Sequence, residues 1–292
     1  MEQDKNKVLI DQGDSVFDKS RRNMYLSSKG IRPSDAFQLS LAFPEIIGDR
    51  SDMRHIPNDY ARSSLFTTRN KRVPRQALTH KKLFHYNNEI EMLFTGVELR
   101  ADDDEVIWLQ ILDFGRATPL GEIFEVSLSE LISKAGWAIN GRNHTRAIEC
   151  ISRLSAAEVL AKNDKAYGSS GPIRLVRDYR SSNGSRPGKA TRFLVQLDPG
   201  LRLLFAGNTF TSHYWEKYRK LSPVARRLAD YLESHKNPFA LSVSRFKDLC
   251  SSLDKNDRSW RQTVRRACVE VEESGLSFSL SVREDKIFCC RV

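Results

Sequence analysis

The sequence predicts an α+β chain in which one small unit, three helices followed by a β-hairpin, occurs twice in tandem behind a flexible N-terminal arm. Three observations carry that prediction. Helix and hairpin signals come in the same order in both halves, and local features match: "SLSELISKAG" resembles "SVSRFKDLCS", and "NGR" (Asn140 to Arg142) matches "NDR" (Asn256 to Arg258), so an internal duplication is the simplest account. Val106 to Phe114 is apolar almost all the way round a helix, which belongs at the centre of a domain. From Met1 to about Pro57, by contrast, the chain is mostly Asp, Lys, Arg, Ser, Asn and Gly without sustained periodicity. Three helices and a hairpin describe a winged helix, a helix-turn-helix relative. The boundaries are 1–57 for the arm, 58–200 for the first winged-helix domain and 201–292 for the second.

Each element has its local reason. In "KKLFHYNNEIEMLFTGVEL" Asn87 and Asn88 can turn two strands into a hairpin, and Ile90, Met92 and Phe94 alternate. "ADDDEVIWLQILDFG" opens with acids that suit the positive end of a helix and closes at Gly115. "FEVSLSELISKAGW" gives a short strand, then a second helix capped by Ser127 or Ser129 and ended by Gly136. A third helix runs through "GRNHTRAIECISRLSAAEVL", and the strands "GPIRLVRDYR" and "KATRFLVQLD" flank the loop "SSNGSRPG". The order then repeats. "WEKYRKLSPVARRLADYLESH" is a first helix with Ser222 capping and Pro223 at its first position. "FALSVSRFKDLCSSL" is strand then second helix, "KNDRSWRQTVRRACVEVEESG" a third helix, and "LSFSLSV" with "KIFCCRV" a hairpin around Arg283 to Asp285.

Composition narrows the partners. A hydrophobic fraction of 40% with 29% charged residues is that of a soluble protein, and no stretch approaches the ~20 apolar residues of a membrane span. The acidic start "MEQDKNKVLIDQ" lacks a secretory pattern, and five cysteines in no C-x-x-C pair suit a reducing cytosol, so a cytoplasmic protein is expected. Lys plus Arg outnumber Asp plus Glu by 47 to 37, a net +10 that favours a polyanionic partner.

The third helices point to DNA. At about 100° per residue, Ala147, Ile148, Ile151 and Leu154 gather on one side of the first, with Arg142, Arg146 and Arg153 roughly opposite. In the second, Trp260, Val264, Ala267, Cys268 and Val271 form the buried stripe, while Arg258, Arg261 and Arg265 occupy the other face with Arg266 alongside. One basic face is ordinarily a solvated one; two, each on the helix that enters the major groove in this fold, favour double-stranded DNA. The arginine fork can bond guanine O6 and N7 together. Asn143, His144 and Thr145 are suited to base edges and are equally ordinary residues for a helix start. Arg177, Arg180, Arg186, Lys189 and Arg192 give the first hairpin a basic tip for phosphate or a minor groove. Arg69, Lys71, Arg72 and Arg75 are either further backbone contacts or a solvated linker.

Catalysis finds no footing, and no metal or cofactor is expected. "GSRPGKA" has neither the spacing nor the strand-helix setting of a phosphate loop. "DDDE" (Asp102 to Glu105) is explained by a helix first turn, and six histidines form no H-x-H or H-x-x-x-H pair.

"PNDYARSSLFTTRNKRVPRQAL", "TGVELRADDDEVIWLQIL", "GWAINGRNHTRAIECISRL", "LFAGNTFTSHYWEKYRKLSPVARRLADYLESH" and "ACVEVEESGL" closely resemble the TrfA-type plasmid replication initiators. The likeness spans about 57 to 292. It implies a cytoplasmic bacterial protein that binds direct repeats (iterons) at a plasmid origin, helps open the adjacent AT-rich duplex and recruits the host replicative helicase, with a monomer–homodimer equilibrium. "NGRNHTR" and "RSWRQTVRR" match the family's third helices, whereas the hairpin from about Lys162 to Arg192 and the arm depart from it. Members also carry an arm peptide that docks on the replicative sliding clamp, and "QLSLAF" is similar to it. Gln38, Leu39, Leu41 and Phe43 are the clamp-binding candidates, with Ala42 inserted before the aromatic residue. Phe37, Leu39 and Leu41 could instead form a strand on the first domain. The alternative function is a tandem winged-helix transcriptional repressor without a replisome role.

Overall fold

The computed structural model describes residues 52–164, 168–182, 191–205 and 210–291. Strand β1 (Met53–Pro57) leads into helix α1 (Asn58–Ala61), the short strand β2 (Phe66–Thr67) and the hairpin of β3 (Ala77–Lys82) and β4 (Glu91–Val97). The expected turn is there: the Asn87 side chain accepts from the Glu89 amide at 3.0 Å, Met92 and Phe94 face inward, and Ile90 is partly buried. β5 (Leu99–Arg100) pairs in parallel with β2 and delivers the chain to α2 (Asp104–Phe114). Every residue from Asp104 to Ile111 is buried, as an all-round apolar helix requires. Trp108 packs against Tyr60 and Phe66 at 5.6 and 5.8 Å and donates its indole N–H to the Leu175 carbonyl at 3.3 Å.

β6 (Ile123–Ser127), α3 (Leu128–Lys134) and α4 (Gly141–Ala156) follow. Of the two candidate caps Ser127 is the one used, accepting from the Glu130 amide, and Gly136 closes the turn at φ +78°. α4 stops short of the expected end at Leu160. Ala157 is extended, and β7 (Glu158–Asn163) buries Val159 and Ala161. The reason is a pairing partner: β7 lies between β4 and β8 (Gly168–Arg174) in an antiparallel sheet of order β3-β4-β7-β8. "GPIRLVRDYR" is likewise not one strand. The chain bends with Leu175 and Val176 buried, so that β9 (Asp178–Ser181) leaves the four-stranded sheet and pairs with β10 (Arg192–Gln196).

α5 (Leu201–Phe205), β11 (Phe210–Tyr214), α6 (Trp215–Tyr218) and α7 (Pro223–Glu233) come next, the last with Ser222 capping and Pro223 at its first position. β12 (Leu241–Ser242), α8 (Val243–Leu249), α9 (Asp257–Glu273), β13 (Phe278–Arg283) and β14 (Lys286–Arg291) complete the chain. The sheets β6-β10-β9 and β12-β14-β13 have the same first-third-second strand order, each beside three helices met in the same sequence. The shared "NGR" and "NDR" prove to be a shared cap. Asn140 accepts from the Asn143 amide at 2.9 Å, and Asn256 accepts from the amides of Arg258 and Ser259 at 3.0 and 3.2 Å.

The arm as drawn to residue 57 is too long. Residues 53–57 are β1, antiparallel to β11, with Ile56 fully buried and the His55 ring edge-on to Phe210. Burial of that apolar residue and five register pairs outweigh the polar composition of the segment.

A buried charge network then joins α7 to α2. Arg227, 0% exposed, donates to Glu105 at 3.0 Å, to Asp230, and to the carbonyls of Ala61 and Ser63 at 2.9 and 2.6 Å. Asp230 also accepts from Tyr218 at 2.9 Å and faces His213 at 2.8 Å, whose other ring nitrogen meets Glu233. Burial, with Asp230 alongside, pushes the Glu105 carboxyl up to about 7. Burial alone would lower His213, but Glu233 and Asp230 overcome it and raise the imidazole to about 10. Among the described residues no helix is long and apolar enough to cross a membrane.

Candidate nucleic-acid interface

The expected stripe of α9 is buried: Trp260, Val264, Ala267, Cys268 and Val271 all face the core. Trp260 donates its indole N–H to the Val243 carbonyl at 3.0 Å and packs on Phe246 at 5.8 Å, which fixes the roll of the helix. The opposite face therefore presents Arg258, Arg265 and Arg266 to solvent, with Arg261 beside them. Arg261 makes a two-pronged bond to Asp285 at the β13–β14 turn, Nε to Oδ1 at 2.6 Å and Nη2 to Oδ2 at 2.9 Å. Arg266 donates to the Thr263 hydroxyl at 3.3 Å, one turn back on the same face.

α4 is built differently. Its buried side is Ala147, Cys150, Ile151 and Leu154, with Ile148 partly buried. Arg142 is exposed near the helix start. The Asn143 side chain donates from Nδ2 to the Ala138 carbonyl at 2.7 Å and the Thr145 hydroxyl donates to the Gly141 carbonyl at 3.1 Å, so both side chains serve the start of the helix.

Arg146 and Arg153 do not lie on an open DNA-facing surface, contrary to the helical wheel. Arg153 is about 15% exposed and bonds Asp104 at 2.9 Å, with Asp103 at 3.7 Å. Arg146 bonds Asp102 at 2.7 Å, and its guanidinium sits 4.1 Å above the Trp137 ring. The wheel sets them roughly opposite the buried stripe; what it omits is the acidic start of α2 packed against that side. "DDDE" is thus an arginine holder rather than a plain first turn. Arg75 joins the same cluster, bonding Asp104 at 2.6 Å and Asp103 at 2.8 Å, and Lys71 reaches Asp102 at 2.8 Å. Burial, with Asp103 adjacent, pushes the Asp104 carboxyl up to about 6. Asp103, Asp104 and Cys150 lie close enough together to share a metal ion, but guanidinium groups already neutralise those carboxylates, and burial drives the thiol up. Much of the basic run at Arg69–Arg75 is spent in the same way, Arg69 bonding Glu98 at 3.0 Å.

In the first hairpin Arg177 and Arg180 are exposed, and Arg192 pairs with Glu125 at 2.8 Å. Arg186 and Lys189 lie outside the described residues, as do Gln38, Leu39, Leu41 and Phe43. Sequence reasoning did not single out Asp285, whose only signal was its place in a hairpin turn beside an arginine-bearing helix. The arrangement offers an exposed row of guanidinium groups on α9, a single arginine on α4, and two hairpins flanking them, which suits a polyanion read along a groove.

The family model described as "TrfA protein" matches residues 28–291. A curated relative, the plasmid replication initiator protein TrfA of Escherichia coli, is 42% identical over 254 residues, covering 87% of this chain; the chain spans 66% of that relative's length. A crystal structure of domains 2 and 3 of RctB superposes with a TM-score of 0.54 at 12% identity, covering 80% of this chain and 96% of that one, a likeness of fold.

Proposed function

This chain belongs to the TrfA family, and from that premise we propose that it is a plasmid replication initiator without catalytic activity of its own. It binds direct repeats at the origin as two winged-helix units related by internal duplication, helps open the AT-rich region and recruits the host helicase. α9 enters a major groove with Arg258, Arg261, Arg265 and Arg266. α4 meets the duplex through Arg142 at its start, and the hairpin bearing Arg180, Arg186 and Lys189 follows the backbone. The observation that carries this reading is the exposed arginine face of α9, held outward by the buried Trp260 stripe. The arm peptide Gln38, Leu39, Leu41 and Phe43 docks on the sliding clamp. Footprinting on a fragment bearing direct repeats tests the DNA step: protection of successive repeats on one helical face is expected, and equal protection of a scrambled fragment refutes it. Leu41→Ala with Phe43→Ala should abolish clamp pull-down and leave duplex binding intact. Absence of clamp binding by the unaltered chain would favour a transcriptional repressor instead.

A further inference from the structure

We propose that Asp285, at the tip of the β13–β14 hairpin, is a positioning residue that holds Arg261 side-on, so that the end-on edge of its guanidinium reads a guanine. This rests on the reading that α9 lies in a major groove.

The chemistry of the fork carries the first part. Asp285 takes the Nε–H and one Nη2–H of Arg261. The remaining outward N–H groups on Nη1 and Nη2 form the other edge of the plane, and that edge matches guanine O6 and N7. A surface ion pair by itself contributes little, so the case depends on how the acid is held. Glu284 and Asp285 both adopt left-handed backbone at φ +50° and +55°, as the two central residues of the tight turn between Arg283 and Lys286, so the turn sets where the Asp285 side chain leaves the backbone. The Asp285 carbonyl accepts from the Val243 amide at 2.8 Å, and the Val243 carbonyl accepts from the indole of Trp260, the residue before Arg261. A closed path of hydrogen bonds therefore runs from the hairpin tip back to the helix turn that bears the arginine.

Charge supplies the second part. An acid at a tip facing DNA weakens attraction to every phosphate, so it gains nothing for sequence-independent binding. It gains discrimination, because an arginine held in one geometry rewards one base and leaves the acid poorly placed against others. The matching position of the first unit carries no arginine: five residues after Asn140 stands Thr145, where five residues after Asn256 stands Arg261.

The test selects duplexes from a randomised library with the full chain, then measures binding to the recovered duplex, to a scrambled one, and to the recovered duplex with 7-deazaguanine, which lacks N7. Arg261→Ala should cost about tenfold or more on the recovered duplex. Asp285→Asn, which tolerates the left-handed turn, and Asp285→Ala should each lower the recovered-to-scrambled ratio by about three- to tenfold, while binding scrambled duplex as well as the unaltered chain or better. Neither loss should appear on the 7-deazaguanine duplex or in the Arg261→Ala background. Unchanged ratios in both Asp285 variants, with melting temperatures preserved, would overturn the proposal, as would a loss that persists without Arg261. If instead Arg261→Ala and Arg265→Ala both leave DNA binding untouched, the groove reading fails and the positioning role with it.

Discussion

Replacing Arg227 with methionine keeps much of the side chain's length and removes the one group that satisfies five acceptors at once. In the native fold that guanidinium bonds Glu105, Asp230 and the carbonyls of Ala61 and Ser63, and it approaches the Tyr60 carbonyl at 3.4 Å, with every charged partner at 0% exposure. Removing one member of a buried pair leaves the other charge without compensation, and such losses run to about 3–5 kcal/mol. At roughly 2–4 °C per kcal/mol for a domain of this size, the melting temperature should fall by about 10 °C. Thermal and urea unfolding followed by circular dichroism would measure it. Arg227 holds the Glu105 carboxyl down, so in the variant that carboxyl rises above its native value of about 7, and part of the loss should return as it takes up a proton, which removes one of the two carboxylate charges left without Arg227. Arg227→Lys should restore little, since an ammonium offers no planar fork to reach both carboxylates and the α1 carbonyls. A change below about 1 kcal/mol in Arg227→Met would refute the reasoning, because it would mean that the α7–α2 junction contributes no net stability through this group.

His213 gives a pH signature of opposite origin. Its folded value of about 10 lies above the unfolded value near 6.5, so its contribution is complete below about pH 6.5 and is lost as pH rises through 10. The unfolding midpoint should decline between pH 7 and 10, and His213→Gln should flatten that decline; an equal slope in both proteins would count against the Glu233–His213–Asp230 chain. Arginines of the two third helices should separate by assay. Arg153→Ala should cost roughly 1–3 kcal/mol of stability by removing one of the two guanidinium groups that pair with buried Asp104, Arg75 being the other, and leave the salt dependence of DNA binding alone. Arg265→Ala should leave the melting temperature unchanged and reduce the slope of log affinity against log salt by about one. An unchanged slope in Arg265→Ala would remove that residue from the phosphate contacts.

Much of this architecture is local and could be read from the chain by itself. Caps such as Ser127, Ser222, Asn140 and Asn256 satisfy donors two or three residues away, so their identity and spacing are enough to place them. The same holds for the buried stripe of α9, which depends only on the helical repeat. What failed to be legible was whatever depends on a distant partner. The segment Glu158–Asn163 has helix-compatible residues and becomes a strand because β4 and β8 supply ladders on both sides. β1 looks like arm until β11 is brought against it. Arg146 and Arg258 are both arginines near the start of a third helix, and nothing in their neighbours tells them apart. One faces Asp102, 44 residues away in sequence, and the other faces solvent, so only the packing of α2 against α4 decides which can meet a ligand. Charge pattern fixes how many guanidinium groups the chain owns; the fold fixes which of them are already occupied, because an ion pair needs proximity that sequence spacing alone does not provide.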